Sequence, residues 1–427
     1  MAMGVFLGTL FSFMFFGIPI AVVLVICAIT LMLYLGLFDM MSVAQAMVAG
    51  TNSFPLMAIP FFMLAGEIMA VGGLSARIVN FANLSVGKVK GGLGYAAIIA
   101  SIIFAGLSGS AVADAAALGA ILIPIMTKNN YKLGRSAAFI CAGAVIAPII
   151  PPSIPMIVLG TSVNLSITRL FMAGLVPGVV LGIILLITWF FIVRIDGYND
   201  TIHYTKEERN AIVKDSLPAL FMPVLIVGGI RLGIFTPTEA GAFAVVYALL
   251  VCTLVYKELN ASQIGEIFSA AAKSTSTVML IVAAASAVGF YITTAQVPAQ
   301  VATALGGLVG NPAMLLLVIN VFLFALGMVM DLTPNILIFA PVLFPVIKQA
   351  GIDPYFFALI MCLNLCIGLI TPPVGTVLYV GCGVAKIDFG ELCKAIMPFL
   401  LVEIGVLLLC TFIPSLVMTP LKLIMGS

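Results

Sequence analysis

Pairs of adjacent prolines interrupt two long apolar stretches of this sequence, Pro151-Pro152 in PIIPPSIP and Pro372-Pro373 in LITPPVG. A proline inside a helix removes a backbone donor and clashes with the preceding turn, at a cost of about 3 kcal/mol or more. The two pairs lie 372 − 151 = 221 residues apart. The same offset relates Pro124 to Pro345, Pro177 to Pro398, Gly106 to Gly327 and Gly160 to Gly381. One constant offset without gaps indicates an internal repeat, and the fold must therefore consist of two similar halves.

The apolar stretches on either side of these breaks are long enough to cross a lipid bilayer. Residues 399–417 form one example, close to the roughly 20 residues that a membrane helix needs. Only 8% of the chain is charged, against roughly 25% for an ordinary soluble domain, and 63% is hydrophobic. The strands of an outer-membrane barrel would show short alternating segments instead. The sequence therefore predicts an all-α polytopic membrane protein.

Three smaller features add little chemistry. The N-terminal stretch lacks a basic segment and a cleavage site, so we interpret it as a first membrane span. The eight cysteines lie scattered in apolar runs and are interpreted as small buried hydrophobes, which implies no disulfide and no metal site. The only histidine, His203, lies in a polar segment and is interpreted as a solvated residue.

The two halves are predicted to be residues 1–194 and 216–427, joined by a polar cytoplasmic linker at 195–215. Each half is predicted to contain about five crossings and one re-entrant helical hairpin. The predicted elements of the first half are spans at 4–17, 19–37 and 54–84, a hairpin at 91–127, a broken helix at 137–163 and a span at 171–194. The predicted hairpin of the second half is 312–347, and its broken helix is 356–382.

Basic residues set the orientation, because the loops on the cytoplasmic side of membrane proteins are enriched in Lys and Arg. Lysines precede and follow the predicted hairpin at 91–127, which places both of its ends on one side. The resulting topology puts 13 of the 18 basic residues on the cytoplasmic side. They are Lys88, Lys90, Lys128, Lys132, Arg135, Arg194, Lys206, Arg209, Lys214, Lys257, Lys273, Lys386 and Lys394. An odd number of crossings per half makes the repeats inverted, as in many secondary transporters.

Four short polar segments break the apolar runs: GLSGSAVAD (106–114), PIIPPSIP (148–155), GMVMDLTPN (327–335) and LITPPVGT (369–376). Non-helical backbone at membrane depth is tolerated only where protein buries it or where it lines a cavity. The 221-residue offset places Ser110 over Asp331 and Asp114 over Asn335. Each tip thus offers a carboxylate among oxygen-bearing neighbours, Ser108 in the first tip and Thr333 in the second, which is suitable for a cation such as Na⁺. The nearby helix N-termini favour an anionic group.

Structural roles remain open for several of these residues. Ser108 and Ser110 can serve as small residues that allow close helix packing. Thr371 and Thr376 can bond back to their own helix. An intramembrane aspartate is harder to explain structurally, because such groups are rare and usually functional. Three glutamates in or near spans, Glu67, Glu239 and Glu403, have no repeat partner and no helix break, and are assigned to structure or to an interface.

The sequence contains no GxxxxGK[ST] phosphate-binding loop, and the linker is too short for a nucleotide-binding domain. An ion gradient is therefore the expected source of energy. No nucleic-acid partner is expected.

Several motifs resemble the large membrane subunit of tripartite ATP-independent periplasmic (TRAP) transporters. They are SGSAVAD (108–114), IIPPSIP (149–155), GMVMDLTP (327–334), GIDP (351–354) and the run from Asn364 through IGLITPPVG (367–375). The resemblance covers nearly the whole chain. It implies Na⁺-coupled uptake of an organic acid across a bacterial inner membrane by an elevator mechanism, with Na⁺ as the coupling ion.

The resemblance also implies two sets of site residues. The Na⁺ ligands are expected among Ser108, Ser110, Asp114, Asp331, Thr371, Gly375 and Thr376. The substrate contacts are expected from Ser153, Thr333, Pro334, Asn335 and Asn364. No residue distinguishes a C4-dicarboxylate from a sialic acid or another sugar acid.

Two further proteins are expected as partners: a separate small membrane subunit of four helices and a soluble periplasmic substrate-binding protein. We interpret the N-terminal stretch as the first span of the large subunit, so the small subunit is expected to be a separate chain. Glu403 and the single tryptophan, Trp189, are candidate contacts with that subunit.

Three other functions compete with this interpretation. An ion channel with re-entrant loops would require a continuous polar pathway. An intramembrane enzyme could use Asp114 and Asp331 as catalytic acids, but it would not explain the matching Pro-Pro breaks. The third competitor is a Na⁺- or H⁺-coupled carboxylate carrier that works without a binding protein.

Overall fold

The computed structural model describes residues 2–199, 201–202 and 204–426. Over these residues the chain forms helices and turns, with no strand. The prediction for His203 lies outside the described residues. Eight helices of the described chain are long and apolar enough to cross a membrane, and the predicted all-α polytopic fold is confirmed.

The helices of the first half are α1 (Ala2–Phe15), α2 (Ile20–Tyr34), α3 (Met40–Thr51), α4 (Ala58–Val71), α5 (Leu74–Val86), α6 (Gly92–Ser108), α7 (Ala111–Lys128), α8 (Leu133–Ala144), α9 (Ile154–Ser162) and α10 (Ile167–Asp196). A short 3₁₀ turn, Phe54–Met57, leads into α4.

The helices of the second half are α11 (Lys206–Arg231), α12 (Pro237–Leu250), α13 (Ala261–Thr294), α14 (Val297–Ala304), α15 (Gly306–Val309), α16 (Pro312–Gly327), α17 (Leu332–Gln349), α18 (Pro354–Gly368), α19 (Thr376–Ala385), α20 (Phe389–Phe412) and α21 (Ser415–Met425). A π-helical turn, Val251–Val255, continues α12.

The internal repeat is visible in the helix boundaries. Adding 221 to the bounds of α7, 111 and 128, gives 332 and 349, which are the bounds of α17. The hairpins are α6–α7 and α16–α17, and the broken helices are α8–α9 and α18–α19. Both broken helices stop before a Pro-Pro pair and resume after it, because a proline cannot supply the backbone donor that a continuous helix needs.

One predicted span is wrong as a single element. The structure divides residues 54–84 at Gly72-Gly73, where Gly73 has a φ of 74°, a left-handed conformation that favours glycine. The chain turns there from α4 into the amphipathic helix α5. The sequence analysis also missed α3, which begins at the capping residue Asp39, whose carboxylate accepts from the Met41 backbone N–H at 2.9 Å.

The connection between the halves is shorter than the predicted linker of 195–215. Helix α10 continues to Asp196, and α11 already begins at Lys206. The early start of α11 has a local cause: Thr205 and Glu208 form a reciprocal capping box, with the Thr205 backbone N–H donating to Glu208 at 2.8 Å.

The halves differ in the helices that precede the hairpins. The offset maps α3 onto residues 261–272 and residues 54–71 onto 275–292, and both target ranges lie within the continuous helix α13. The first half is broken there because Pro55 stands at the start of the 3₁₀ turn, whereas the corresponding residue, Ser276, keeps its backbone donor.

The helices pack into two layers. Helix α13 packs against α2, α3 and α4, and α12 packs against α4, which makes one layer from both halves. The hairpins and broken helices form the other layer, through pairs such as α7 with α19 and α17 with α9. We call the first the scaffold layer and the second the hairpin layer.

The inter-half connection marks one end of the molecule, which we call the linker side. There Arg77 of α5 pairs with Asp215 of α11 at 3.0 Å and with Glu258 at 2.7 Å, and its guanidinium lies 3.6 Å from the centroid of the Tyr256 ring. The backbone N–H of Ile202 donates to Gly87 at 2.6 Å. The last turn of α4 and the start of α13 therefore lie on the linker side.

The two residues proposed for contact with a small subunit lie inside this chain, so that prediction is wrong for both. Trp189 is fully buried and stacks on Phe139 with ring centroids 4.3 Å apart, while its indole N–H donates to the Gly91 carbonyl at 3.0 Å. Glu403 in α20 is also fully buried. Neither side chain presents surface to a second chain.

Candidate functional site

The two hairpin tips meet at a cavity of about 120 Å³, which we call the site cavity. Both halves contribute to it, since its walls include Ser110 of the first tip and Asp331 and Thr333 of the second. The loops of the two broken helices contribute Pro148 and Leu369, and the scaffold layer contributes Met63 and Val278. The structure thus brings together residues that are far apart in sequence and were predicted from the repeat.

The first tip is built around a left-handed glycine and a helix cap. Gly109 has a φ of 60° and ends α6, and a Cβ at this position would collide with the carbonyl oxygen of Pro152. Ser110 then caps α7, accepting from the Ala113 backbone N–H at 3.4 Å. The hydroxyl of Ser108 donates to the carboxylate of Asp114. Asp114 is fully buried, and its other oxygen, Oδ2, has no hydrogen-bond partner among the described residues.

The second tip places its carboxylate differently. Asp331 is itself the residue before the first turn of α17, at the position of Ser110 in the first tip, and it is exposed to the site cavity. The hydroxyl of Thr376, at the start of α19, lies 3.5 Å from Asp331 Oδ1 and donates to it. Gly375 precedes Thr376 with a φ of 58°, which lets the backbone turn into α19.

Each hairpin tip packs closely against a Pro-Pro loop. In the second half the Val374 backbone N–H donates to the Met328 carbonyl at 3.3 Å. Gly327 and Gly368 touch through their backbones, because a Cβ on Gly368 would lie only 2.6 Å from the Gly327 Cα. In the first half Gly109 of the tip lies against the Pro152 carbonyl. Ser153 holds that loop, since it donates to the Pro148 carbonyl at 2.5 Å and accepts from the Met156 backbone N–H at 3.3 Å.

Other predicted residues lie next to the site cavity or away from it. Asn335 is fully buried in α17, and its amide donates to the Met330 carbonyl at 3.1 Å, within the second tip. Pro334 is part of the same first turn of α17. Thr371 is buried in the loop after α18 and donates back to the carbonyl of Ile367, in the last turn of α18, at 2.7 Å. None of these three side chains is among the walls of the site cavity in the described chain.

Asn364 is in a different environment. Its amide donates to the backbone carbonyl of Asn320 at 2.9 Å and to the side-chain oxygen of Asn320 at 2.8 Å. Asn320 in turn donates to Thr411 at 3.0 Å. This buried network joins α16, α18 and α20, and none of its residues is among the described walls of the site cavity. No local sequence pattern predicts this pairing, because Asn320 and Thr411 lie in unbroken apolar helices.

Groups that favour an anion and groups that favour a cation lie close together around the two hairpin tips. The first turns of α7, α9 and α17 contribute to the walls of the site cavity, and α19 begins at Thr376 beside Asp331. Helix N-termini carry free N–H groups and a partial positive charge, which favour an anion. Asp331 in the site cavity and the buried Asp114 behind Ser108 carry oxygens of the kind that hard cations bind.

A larger cavity of about 420 Å³ adjoins the site cavity and shares Met63, Ser110 and Ile154 with it. We call it the linker-side cavity, because it follows α4 to Ala70 in the last turn of that helix; Ser274, within α13, is also in its wall. Its walls include Glu67, which the sequence analysis assigned to structure or to an interface. The sequence did not predict that Glu67 lines a cavity, because this depends on where α4 packs, which only the structure shows.

Comparison with known proteins connects this geometry to a family. Residues 7–416 match the family model described as "Tripartite ATP-independent periplasmic transporter, DctM component". The chain belongs to this family. It is 48% identical over 418 residues to a TRAP transporter large permease protein of Haemophilus influenzae, with 98% of each chain covered. It is 47% identical over 422 residues, 99% of each chain, to the 2,3-diketo-L-gulonate TRAP transporter large permease protein YiaN of Escherichia coli.

The fold also resembles a solved structure, the YdaH transporter of Alcanivorax borkumensis. The TM-score is 0.62, with 15% sequence identity and coverage of 86% of each chain. At that identity the likeness concerns the fold alone.

Membership of the DctM family settles the class of activity. The chain is a multi-pass transporter permease of a bacterial inner membrane, not an enzyme, and its family works with a small membrane subunit and a periplasmic binding protein. Asp114 and Asp331 therefore need no catalytic role.

Proposed function

We propose that this DctM-family chain is the substrate-translocating subunit of a Na⁺-coupled importer of an organic acid. The observation that carries the proposal is the site cavity itself, in which Ser110 and Asp331, equivalent residues of inverted repeats, share one wall. A site built at the repeat interface from broken helices is the arrangement that secondary transporters use.

The residues fit a sodium ion in each half. Asp114 has one oxygen engaged by Ser108 and one without a partner in the described chain, while buried carboxylates are rarely left unpaired. Ser108, Ser110 and Asp114 are the proposed ligand residues in the first half, and Asp331, Thr371, Gly375 and Thr376 are those in the second. Bound Na⁺ would supply positive charge beside the substrate anion.

The proposed substrate carries a carboxylate. It would lie against the first turns of α7, α9 and α17, with Thr333 as a hydroxyl contact within the site cavity. Ser153, Pro334 and Asn335 would support this surface from behind. We leave Asn364 out of the contact set, because Asn320 occupies its amide. The E. coli relative is named for 2,3-diketo-L-gulonate, so a sugar acid is the first candidate, followed by a sialic acid and a C4-dicarboxylate.

An elevator mechanism agrees with the two layers. The hairpin layer carries nearly all the polar groups of the site, and the scaffold layer contributes apolar side chains, Met63 and Val278. Apolar side chains can slide past one another without breaking hydrogen bonds. The site cavity adjoins the linker-side cavity, which supports assigning this structure to the state open toward the cytoplasm.

The proposed partners are a separate small membrane subunit and a soluble periplasmic binding protein that delivers the acid. The tripartite family supports both, and it counts against a carrier that works alone.

The decisive experiment is uptake into proteoliposomes. The chain, a small subunit and a binding protein would be assayed with radiolabelled 2,3-diketo-L-gulonate, sialic acid and succinate, with and without an inward Na⁺ gradient. We expect uptake of one acid only with the gradient and all three proteins, and its loss in Asp331→Ala at normal membrane insertion. Full uptake by that variant, or robust uptake by this chain alone, would contradict the proposal.

A further inference from the structure

Two cavities approach the site from opposite ends of the molecule. The linker-side cavity lies between α4 and the first hairpin. A cavity of about 770 Å³, which we call the far-side cavity, lies between α13 and the second hairpin. The repeat relates them, because Ala116 in the first corresponds to Leu337 in the second, 116 + 221 = 337.

The two cavities differ in charge. Glu67 is the only charged residue in the described walls of the linker-side cavity. Its carboxylate is partly buried, and it makes no hydrogen bond or ion pair within the described residues. Met63, one helical turn away on the same face of α4, also contributes to the site cavity, so Glu67 lies along the route between the site and the linker side.

The far-side cavity has no such charge in its described walls. Its polar side chains are neutral, with Ser286, Thr293, Thr294 and Gln296 among them. The residue equivalent to Glu67 is 67 + 221 = 288, and Val288 is apolar and buried. Val288 is also absent from the described walls of the far-side cavity, so the repeat supplies no counterpart of Glu67 there.

A carboxylate in a narrow cavity with apolar walls acts over a longer range than one in bulk water, because the low-dielectric walls focus its field. The neighbouring aspartates do not offset it. Asp114 is buried behind Ser108, and Asp331 carries the same sign of charge. Anions in the linker-side cavity thus meet a like charge, and anions in the far-side cavity do not.

We propose that Glu67 is an electrostatic release residue, which disfavours an anionic substrate in the linker-side cavity and so speeds its departure to the cytoplasm and opposes its return. The inference rests on the proposed function, since it requires an anionic substrate. The far side stays neutral, and entry from the periplasm is not opposed. Glu67 changes the affinity of one state and not the driving gradient, so the final accumulation ratio stays the same.

The first test needs no substrate. Ser274 is exposed at the wall of the linker-side cavity, so Ser274→Cys offers a thiol there. Its modification rate would be measured with cationic trimethylammonium-ethyl and anionic sulfonato-ethyl methanethiosulfonate, with the unmutated protein as the background for native cysteines. We expect Glu67→Gln to lower the cation-to-anion rate ratio by about threefold or more. Glu266→Gln, an exposed acid on α13 outside the cavity, is the matched control and should leave the ratio unchanged.

The second test measures release. Binding protein added outside proteoliposomes selects molecules whose far side faces outward, and the vesicles are preloaded with increasing amounts of the unlabelled acid that the wild type transports. In Glu67→Gln the internal concentration that halves uptake should fall by about threefold or more, because return from inside is no longer opposed. Glu266→Gln should behave as the wild type.

The outcomes separate the two proposals. An unchanged rate ratio, or a changed ratio with unchanged internal inhibition, overturns the role of Glu67. Failure of the wild type to take up any acid overturns the proposed function instead, while a ratio lowered by Glu67→Gln still supports the charge selectivity of the cavity.

Discussion

The hydroxyl of Ser108 donates a hydrogen bond to the carboxylate of Asp114 across the tip of the first hairpin. In the second hairpin the hydroxyl that donates to the carboxylate comes from a different helix, since Thr376 of α19 donates to Asp331 at 3.5 Å. The first carboxylate is held within its own hairpin and is fully buried, and the second is exposed to the site cavity. The two aspartates should therefore respond differently to mutation.

Asp114→Asn should weaken Na⁺ dependence while leaving the fold intact. The amide keeps a partner for Ser108 but removes the negative charge and one anionic oxygen. We expect the Na⁺ concentration for half-maximal uptake to rise about tenfold or more, since hydrogen bonds and contacts to charged groups contribute roughly 1.5–3 kcal/mol. The measurement is initial uptake rate against external Na⁺.

Ser101→Ala is the control for loss of a buried polar group that does not contact Asp114. Ser101, like Ser108, is a buried serine of α6, but its hydroxyl donates to the Ala97 carbonyl at 2.9 Å within its own helix. Its removal should leave the Na⁺ dependence within about twofold, because a typical neutral hydrogen bond contributes only about 1 kcal/mol to stability. A tenfold change in both variants would point to a general loss of packing.

Trp189→Ala should destabilise the chain without acting through a partner. The variant removes the stack on Phe139 and the hydrogen bond to Gly91. Replacing a buried large aromatic side chain by alanine lowers the free energy of unfolding by about 3–5 kcal/mol. Thermal unfolding in detergent measures the loss. Phe191→Ala, two residues away but 55% exposed, should shift the unfolding temperature far less.

A third variant, Trp189→Phe, tests the corrected assignment of Trp189. Trp189→Phe preserves most of the stack and should keep the small subunit bound in co-purification. Loss of the subunit from a well-folded Trp189→Phe variant would restore the interpretation that the structure overturned.

Asn364→Ala should act on stability more than on substrate affinity. The change leaves the side-chain oxygen of Asn320 without its donor in a fully buried place, at a cost of about 1–3 kcal/mol. Thermal unfolding and the substrate concentration for half-maximal uptake would be measured together. An unchanged unfolding temperature with a large rise in that concentration would return Asn364 to the substrate site.

The elements that the sequence predicted correctly are those whose sequence features occur in both halves. Pro-Pro pairs, hairpin tips and the 221-residue offset are local and occur twice, so α6–α9 and α16–α19 followed directly from the sequence. The division of 54–84 did not, because Gly72-Gly73 occurs once and resembles the many glycines that pack inside membrane helices. The helix α3 was missed for a related reason: at 12 residues it is too short to be recognised as a span.

The candidate site shows the same limit. Ser110 and Asp331 were predicted because their sequence contexts are unusual, and they share one cavity. Met63, Val278 and Glu67 reach the cavities through the packing of α4 and α13, which no local pattern encodes. Buried partners such as Asn320 and Asn364 lie 44 residues apart and meet only when α16 packs on α18.

Gly368→Ala tests whether the close packing of hairpin and broken helix is required for transport. A Cβ on Gly368 would lie 2.6 Å from Gly327 Cα and 2.8 Å from the Gly327 carbonyl oxygen, and backbone atoms cannot move aside as a flexible side chain can. The second tip would be pushed away from the TPPVG loop, which separates Asp331 from Thr376. We expect Na⁺-driven uptake to fall by at least about tenfold, because a displacement near 1 Å is enough to disable a preorganised site. Gly383→Ala on α19 is the control, since nothing lies within 4 Å of its Cβ position, and it should retain near-normal uptake. Equal uptake by the two variants would show that the Gly327–Gly368 contact is not needed to hold Asp331 in place.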